Sequence, residues 1–186
     1  MITAVLITWK RQHNIPRIIE SLLRVPQISE ILIHDNSKGR NKACYRRFEL
    51  ALKARNNLIY TQDDDCINHD VELLIKNHKT ITCGATGGYM NALTEYPYTD
   101  TNLALLGYGS LFNKKDIDFS KYLLKYPKDL LFYREADRIF TLLGNKPTVI
   151  GCDIELLDEE LHAMSSDDSH LDDRREIISR CQKLVF

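Results

Sequence analysis

An α/β fold, with a mostly parallel sheet covered by helices, is predicted by three observations. β-Branched or apolar runs at Ile2 to Thr8, Ile31 to Ile33 and Leu58 to Tyr60 alternate with stretches of helical spacing. Each run also stops on polar groups: Thr8, Trp9 and Arg11, then Asp35 and Asn36, then Asp63, Asp64 and Asp65. Ligands of open parallel sheets sit beyond the carboxyl ends of the strands, so three successive strand ends are expected to line one crevice. Length fits as well, since 186 residues suit one domain and no repeat, linker or low-complexity segment divides 1–186.

The elements follow in order. After the first strand, Ile15, Ile18, Ile19, Leu22 and Leu23 recur at helical spacing, with Pro16 tolerated in the first turn. The second strand ends on His34-Asp35-Asn36-Ser37, and Lys42 to Ala54 has helical composition. Leu58 to Tyr60 leads into the aspartates, and Val71 to His78 reads as a helix. Thr82 to Gly88 reads as a loop whose glycines suit turns or close backbone approach. Leu103 to Leu106 is expected to be a short strand running into the loop Gly107-Tyr108-Gly109-Ser110. Lys121 to Tyr126 and Leu130 to Leu143 read as helices, Pro147 to Ile150 as a strand, and Asp172 to Leu184 as a closing charged helix. The acidic stretch Asp153 to Asp173 reads as an exposed segment.

Composition narrows the classes. A hydrophobic content of 44%, a charged content of 27% and a net charge of -1 suit a soluble globular chain and lack the basic excess of a nucleic-acid binder. The five cysteines are odd in number, scattered and without a CxxC pair, which predicts reduced thiols in a cytoplasmic setting, and neither a disulfide framework nor a zinc knot. The N-terminal apolar run is too short to span a membrane and lacks a charged leader, so no targeting segment or membrane span is expected.

The aspartates carry the chemistry. Three adjacent carboxylates are tolerable in water or around a cation, and side-chain alternation in a strand would turn Asp63 and Asp65 to one ion with Asp64 facing away, toward a ribose hydroxyl for example. An all-oxygen site favours Mn²⁺ or Mg²⁺, and such ions keep positions open for a substrate diphosphate. An acidic turn capping a helix near Asp70 is the competing reading.

With these residues placed, the chain resembles the GT-A fold glycosyltransferases, the nucleotide-diphosphosugar transferases with an Asp-x-Asp motif, and in particular their small single-domain members. The match runs in order through Thr8-Trp9-Lys10-Arg11, Asp35-Asn36-Ser37, Gln62-Asp63-Asp64-Asp65, Gly107-Tyr108-Gly109-Ser110-Leu111 and Arg134-Glu135-Ala136-Asp137, with a weaker element at Ser169-His170 and Arg174. It implies a GT-A, Rossmann-like fold. It also implies metal-dependent transfer of a sugar from a UDP- or GDP-sugar to an acceptor hydroxyl of a glycan or glycoconjugate, with inversion. Two departures stand out. The family's neighbouring Glu-Asp pair is split here by Ala136, so the resemblance implies Asp137, which precedes Ile139-Phe140, as base and Glu135 as the alternate. The C-terminal part is short where larger members build the acceptor site, which implies a partner chain or domain for acceptor recognition.

The resemblance implies Thr8, Trp9, Arg11, Asp35, Arg47, Asp63, Asp64 and Gly109 for the nucleotide-sugar, and Asp63, Asp65 and His170 for the metal. Several keep a plainer reading. Arg11 and Arg47 suit phosphate oxygens but read equally as surface arginines. Asp35 serves a base or ribose, or forms an Asx turn. Trp9 stacks on a base or, the preferred reading, packs in the core. His170 serves metal or phosphate, or starts an exposed helix. Two other functions remain open: a non-catalytic nucleotide-sugar or metal-binding module, and a sugar-phosphate nucleotidyltransferase. The latter normally carries a glycine-rich signature after its first strand, and Thr8-Trp9-Lys10-Arg11-Gln12 is not one.

Overall fold

The computed structural model describes residues 1–85, 104–157 and 170–185. Among them the strands are β1 (Ile2–Thr8), β2 (Ile28–Asp35), β3 (Leu58–Gln62), β4 (Cys66–Asn68), β5 (Thr82–Cys83), β6 (Ser110–Asn113), β7 (Thr148–Val149) and β8 (Ile154–Leu156). The helices are α1 (Ile15–Leu23), α2 (Tyr45–Ala51), α3 (Val71–Lys76), α4 (Ser120–Leu123), α5 (Leu130–Arg134), α6 (Ala136–Leu143) and α7 (His170–Val185). A six-stranded sheet has the order β2-β1-β3-β6-β5-β7. β1 lies parallel to both β2 and β3, β6 is reversed, and β5 and β7 are parallel to each other. A separate β4-β8 pair is antiparallel.

The strand period of two divides the core between the two sheet faces. Along β1, Val5 joins one hydrophobic cluster, while Ile2, Ala4 and Leu6 join the other. β3 and β6 do the same, with Ile59 and Phe112 on the first face and Tyr60 and Leu111 on the second. The first face is aromatic: the Phe140 ring of α6 sits 5.0 Å from Phe48 of α2 and 5.1 Å from Phe112 of β6. On the second face α1 buries Ile18 and Leu22, one turn apart, and leaves Leu23 exposed. Helices therefore cover both faces of a mostly parallel sheet, as the alternation of segments predicts.

Several expected elements differ. β3 stops at Gln62, and Asp64 and Asp65 lie in a turn before β4, so strand alternation does not govern the aspartates. The strand expected before the glycine loop is found after it, as β6; Leu106–Tyr108 is a 3-10 turn, and Leu103 lies outside the described residues. The single helix expected from Leu130 to Leu143 is two, broken at Glu135 (φ -111°, ψ 18°). Thr82–Cys83 pairs in the sheet although its glycine-rich surroundings read as loop, and the short strands β4 and β8 carry too few residues to show a period. The glycines 87 and 88, Ser169 and residues 158–169 of the acidic stretch lie outside the described residues.

A candidate active-site cavity

Beyond the carboxyl ends of β1 and β3 lies a cavity of about 660 Å³. Its wall includes Thr8, Trp9, Lys10 and Arg11 after β1, Asn36 after β2, Arg47 on α2, Asp63, Asp64 and Asp65 after β3, and Gly107. Glu135 at the α5-α6 break, Asp137 on α6, and His170 and Arg174 on α7 close the other side. Of the residues singled out from sequence, Asp35 and Gly109 do not line it. Asp35 makes an Asx turn, accepting hydrogen bonds from Ser37 N–H at 2.9 Å and from Gln12 Nε2 at 3.1 Å. Gly109 has φ +97°, and an added Cβ there would lie 2.5 Å from Asn68 Nδ2, so its need for glycine is structural.

The acidic turn is pinned at three backbone points. Asp63 N–H donates to Gly107 O at 2.7 Å, Asn14 Nδ2 donates to Asp64 O at 2.9 Å, and Leu157 N–H donates to Asp65 O at 2.8 Å. The side chains then diverge. Asp64 is buried and turned into the protein, accepting from Trp9 N–H at 2.9 Å and from Arg11 Nη1 at 3.3 Å. Asp65 also pairs with Arg11, at 3.2 Å. Asp63 is the open member, its side chain 42% exposed on one side and paired with Arg47 on the other. Burial, and next the Asp63 charge, pushes the Asp65 carboxyl up to about 7, and burial raises Asp64 as well.

Arg47 is not a surface residue: it stands on the cavity wall with its side chain only 1% exposed. It pairs with Asp63 through Nη2, lies 3.2 Å from Asp137 Oδ1 through Nε, and donates to Thr61 Oγ1 at 3.5 Å. Burial disfavours its charge, but Asp137 and then Asp63 more than offset that and hold the guanidinium above its ordinary range. Asp137 is 24% exposed, and its carboxyl is pushed up to about 7 by burial, with Arg47 pulling the other way. Glu135, by contrast, is deeply buried, ion-paired with Arg138 at 3.1 Å and 3.8 Å from His170 Nδ1, and raised chiefly by burial.

Trp9, expected in the core, joins neither hydrophobic cluster; it is half-buried on the cavity wall with Lys10 Nζ 4.4 Å above its ring. Lys10 itself has φ 65° and Ala43 φ 43°, left-handed conformations that side chains seldom adopt, and both stand on this wall. Sequence reading gave no role to Asn14, Thr61 or Gly107. Asn14 and Gly107 hold the acidic turn by its backbone and Thr61 accepts from Arg47, and such long-range contacts leave no local pattern.

No family model matches the sequence, and no curated protein matches it. Among solved structures the chain is similar to S. aureus TarS 1–349 in complex with UDP-GlcNAc, at 13% identity and a TM-score of 0.57, covering 96% of this chain and 66% of that one. A second S. aureus TarS structure is 13% identical with a TM-score of 0.45, covering 81% of this chain and 35% of that one. HddC from Yersinia pseudotuberculosis is 10% identical with a TM-score of 0.44, covering 98% and 99%. This chain thus spans just under two thirds of TarS 1–349. At such identity the likeness shows the fold: a GT-A, Rossmann-like arrangement of a mostly parallel sheet flanked by helices. Among the described residues no helix is long and apolar enough to cross a membrane.

Proposed function

We propose that this chain is a metal-dependent glycosyltransferase that moves a sugar from a UDP- or GDP-sugar to an acceptor hydroxyl, with inversion and with Asp137 as base. The observation that carries this reading is that the acidic turn and a partly exposed carboxylate on α6 open into one cavity at the strand ends. Of the two candidate bases, Asp137 is the better placed, because Glu135 is enclosed by its ion pair with Arg138. A carboxyl near 7 suits a base that must be ionised yet still take a proton at neutral pH. The UDP-GlcNAc bound to TarS makes UDP-sugars the first donors to try.

The residues fit a divalent cation on charge. In the ion pairs of the acidic turn and of Asp137, the four carboxylates Asp63, Asp64, Asp65 and Asp137 share two guanidiniums, Arg11 and Arg47. Asp63 and Asp65 would hold Mn²⁺ or Mg²⁺, whose role when bound is to neutralise the leaving diphosphate. Among the described residues no group of three or more His, Cys, Asp or Glu side chains is gathered to hold a metal, so the remaining ligands would come from substrate phosphate and water. His170 sits beside Glu135, on the α7 side of the cavity. Arg11 orients Asp64 and Asp65, and Asp137 takes the acceptor proton. Acceptor recognition by a partner chain or domain, action in the cytoplasm and a role in glycan biosynthesis belong to the same proposal.

Calorimetric titration with UDP- and GDP-sugars, in Mn²⁺ and then in chelator, tests it. Mn²⁺-dependent binding of one donor with slow release of nucleoside diphosphate is expected. Binding without any turnover would leave a non-catalytic module, and no binding to any donor would end the reading.

A further inference from the structure

Arg47 is a single buried cation shared by two anions. Its Nη2 pairs with Asp63 and its Nε lies 3.2 Å from Asp137 Oδ1, and at 1% exposure no bulk water can stand in for either partner. Its neighbours fix it in place: Tyr45 and Phe48 on α2 are buried in the aromatic cluster, and Phe48 meets Phe140 of α6 at 5.0 Å. That contact holds Arg47 and Asp137 in one frame, α2 against α6. Asp63 belongs to a different element, the turn after β3, and its side chain is 42% exposed. It is therefore the partner with freedom to turn toward the cavity.

We propose that Arg47 is a positioning residue that couples the acidic turn to the base: Asp63 and Asp137 divide its charge, so drawing Asp63 toward a cation leaves the guanidinium to Asp137. This rests on the reading of Asp63 as a cation ligand and Asp137 as the base. Linkage is reciprocal, so the base side also acts on the cation side. When Asp137 cannot share the guanidinium, Arg47 is left wholly to Asp63 and competes there with a cation. The consequence for the reaction is an order: the Asp137 carboxylate receives the whole of its counter-charge once the donor side is filled.

The test is Mn²⁺ affinity, read by calorimetry at one fixed pH in wild type, Asp137→Asn, Arg47→Gln and the double variant. Asp137→Asn is expected to weaken Mn²⁺ binding about 5-fold or more in the wild-type background, the lower end of ordinary coupling, and less than about 2-fold where Arg47 is Gln. The same factor in both backgrounds means that the Asp137 charge acts directly through space, and overturns the proposal. If wild type takes up no Mn²⁺, the cation reading falls, and the coupling is decided without metal by urea unfolding of Asp63→Asn, Asp137→Asn and their combination. A shared counter-ion makes the combination lower the midpoint by more than the two single shifts together, with the excess gone when Arg47 is Gln. Simple additivity, or an excess that persists without Arg47, overturns it. Should Arg47→Gln not fold, Arg47→Lys replaces it, because an ammonium keeps the charge without the fork that reaches both carboxylates.

Discussion

Asp65 faces the same cavity as Asp63, and the mutual repulsion of their carboxylates is what a cation relieves, so removing either should remove the cation. Asp65→Ala is expected to abolish Mn²⁺-dependent donor binding in calorimetry; binding by wild type that survives exhaustive chelation would contradict it. Gly107 gives a steric version of the same experiment. A Cβ there would lie 2.6 Å from Asp63 Cγ, so Gly107→Ala must displace the carboxylate and is expected to weaken Mn²⁺-dependent binding. Gly151→Ala, with nothing within 4 Å, should leave that binding unchanged, and equal loss in both variants would mean a general effect on folding. At this scale the aspartates were legible because an apolar run ending on three carboxylates is a local signal. The role of Arg47 was not: what makes it buried and bridging is its meeting with Asp137, 90 positions along the chain, and spacing cannot report that. The inward turn of Asp64 was hidden for the same reason, since its partners Trp9 and Arg11 arrive from another strand end.

At the scale of elements, the break between α5 and α6 sets where Asp137 stands on the cavity wall. Leu130 to Leu143 has the composition of one helix, and Asp129 caps its start by accepting from Phe132 N–H at 2.8 Å. The backbone leaves helical geometry at Glu135, so α6 starts afresh at Ala136 and presents Asp137 in its first turn. What fixes α6 is Phe140, 1% exposed and ringed by Phe48 and Phe112. Phe140→Ala is expected to cost about 3–5 kcal/mol in urea unfolding, the range for emptying a buried phenylalanine site. A cost under about 1 kcal/mol would mean that α6 is not anchored by this contact. β1, β2 and β3 were readable as apolar or β-branched runs, which the sheet buries almost throughout in β1 and β3 and half-buries in β2, and α1 from helical spacing that buries Ile18 and Leu22. β7 was read as well, within the strand expected from Pro147 to Ile150, whereas β4, β5 and β8 have two or three residues each, shorter than any period can show, and the α5-α6 break has no proline or glycine to mark it.

For the whole molecule, the half-buried Asp65 and Asp137 carboxyls make stability depend on pH in a direction opposite to the usual one. Asp65 and Asp137 have folded values near 7 against an ordinary 3.8, so between about 4 and about 7 the folded chain binds protons that the unfolded chain has released. Their contribution therefore falls as pH rises through that window and is level above it. Asp35 and Glu30, half-buried carboxyls lowered by hydrogen bonds from Ser37 and Thr3, act the other way, contributing stability that is lost as pH falls through their own values. His34 and His78, lowered by burial, also favour higher pH, up to the ordinary histidine value of 6.5. The total slope is a sum of opposed parts, and a difference between variants isolates the part that matters. Asp65→Asn and Asp137→Asn each delete one group that resists ionisation, so each should gain stability relative to wild type as pH rises from 5 to 7.5. Urea midpoints at those two values would show it, and a constant difference would place both carboxyls near their ordinary range. Mn²⁺ should offset the Asp65 part of the wild-type penalty, because a cation held there binds the ionised carboxylate and stabilises by an amount that grows with the logarithm of its concentration relative to its dissociation constant. The rise in midpoint on adding Mn²⁺ should then be larger at pH 7.5 than at pH 5, and absent in Asp65→Asn; an equal rise in that variant would locate the cation away from the acidic turn.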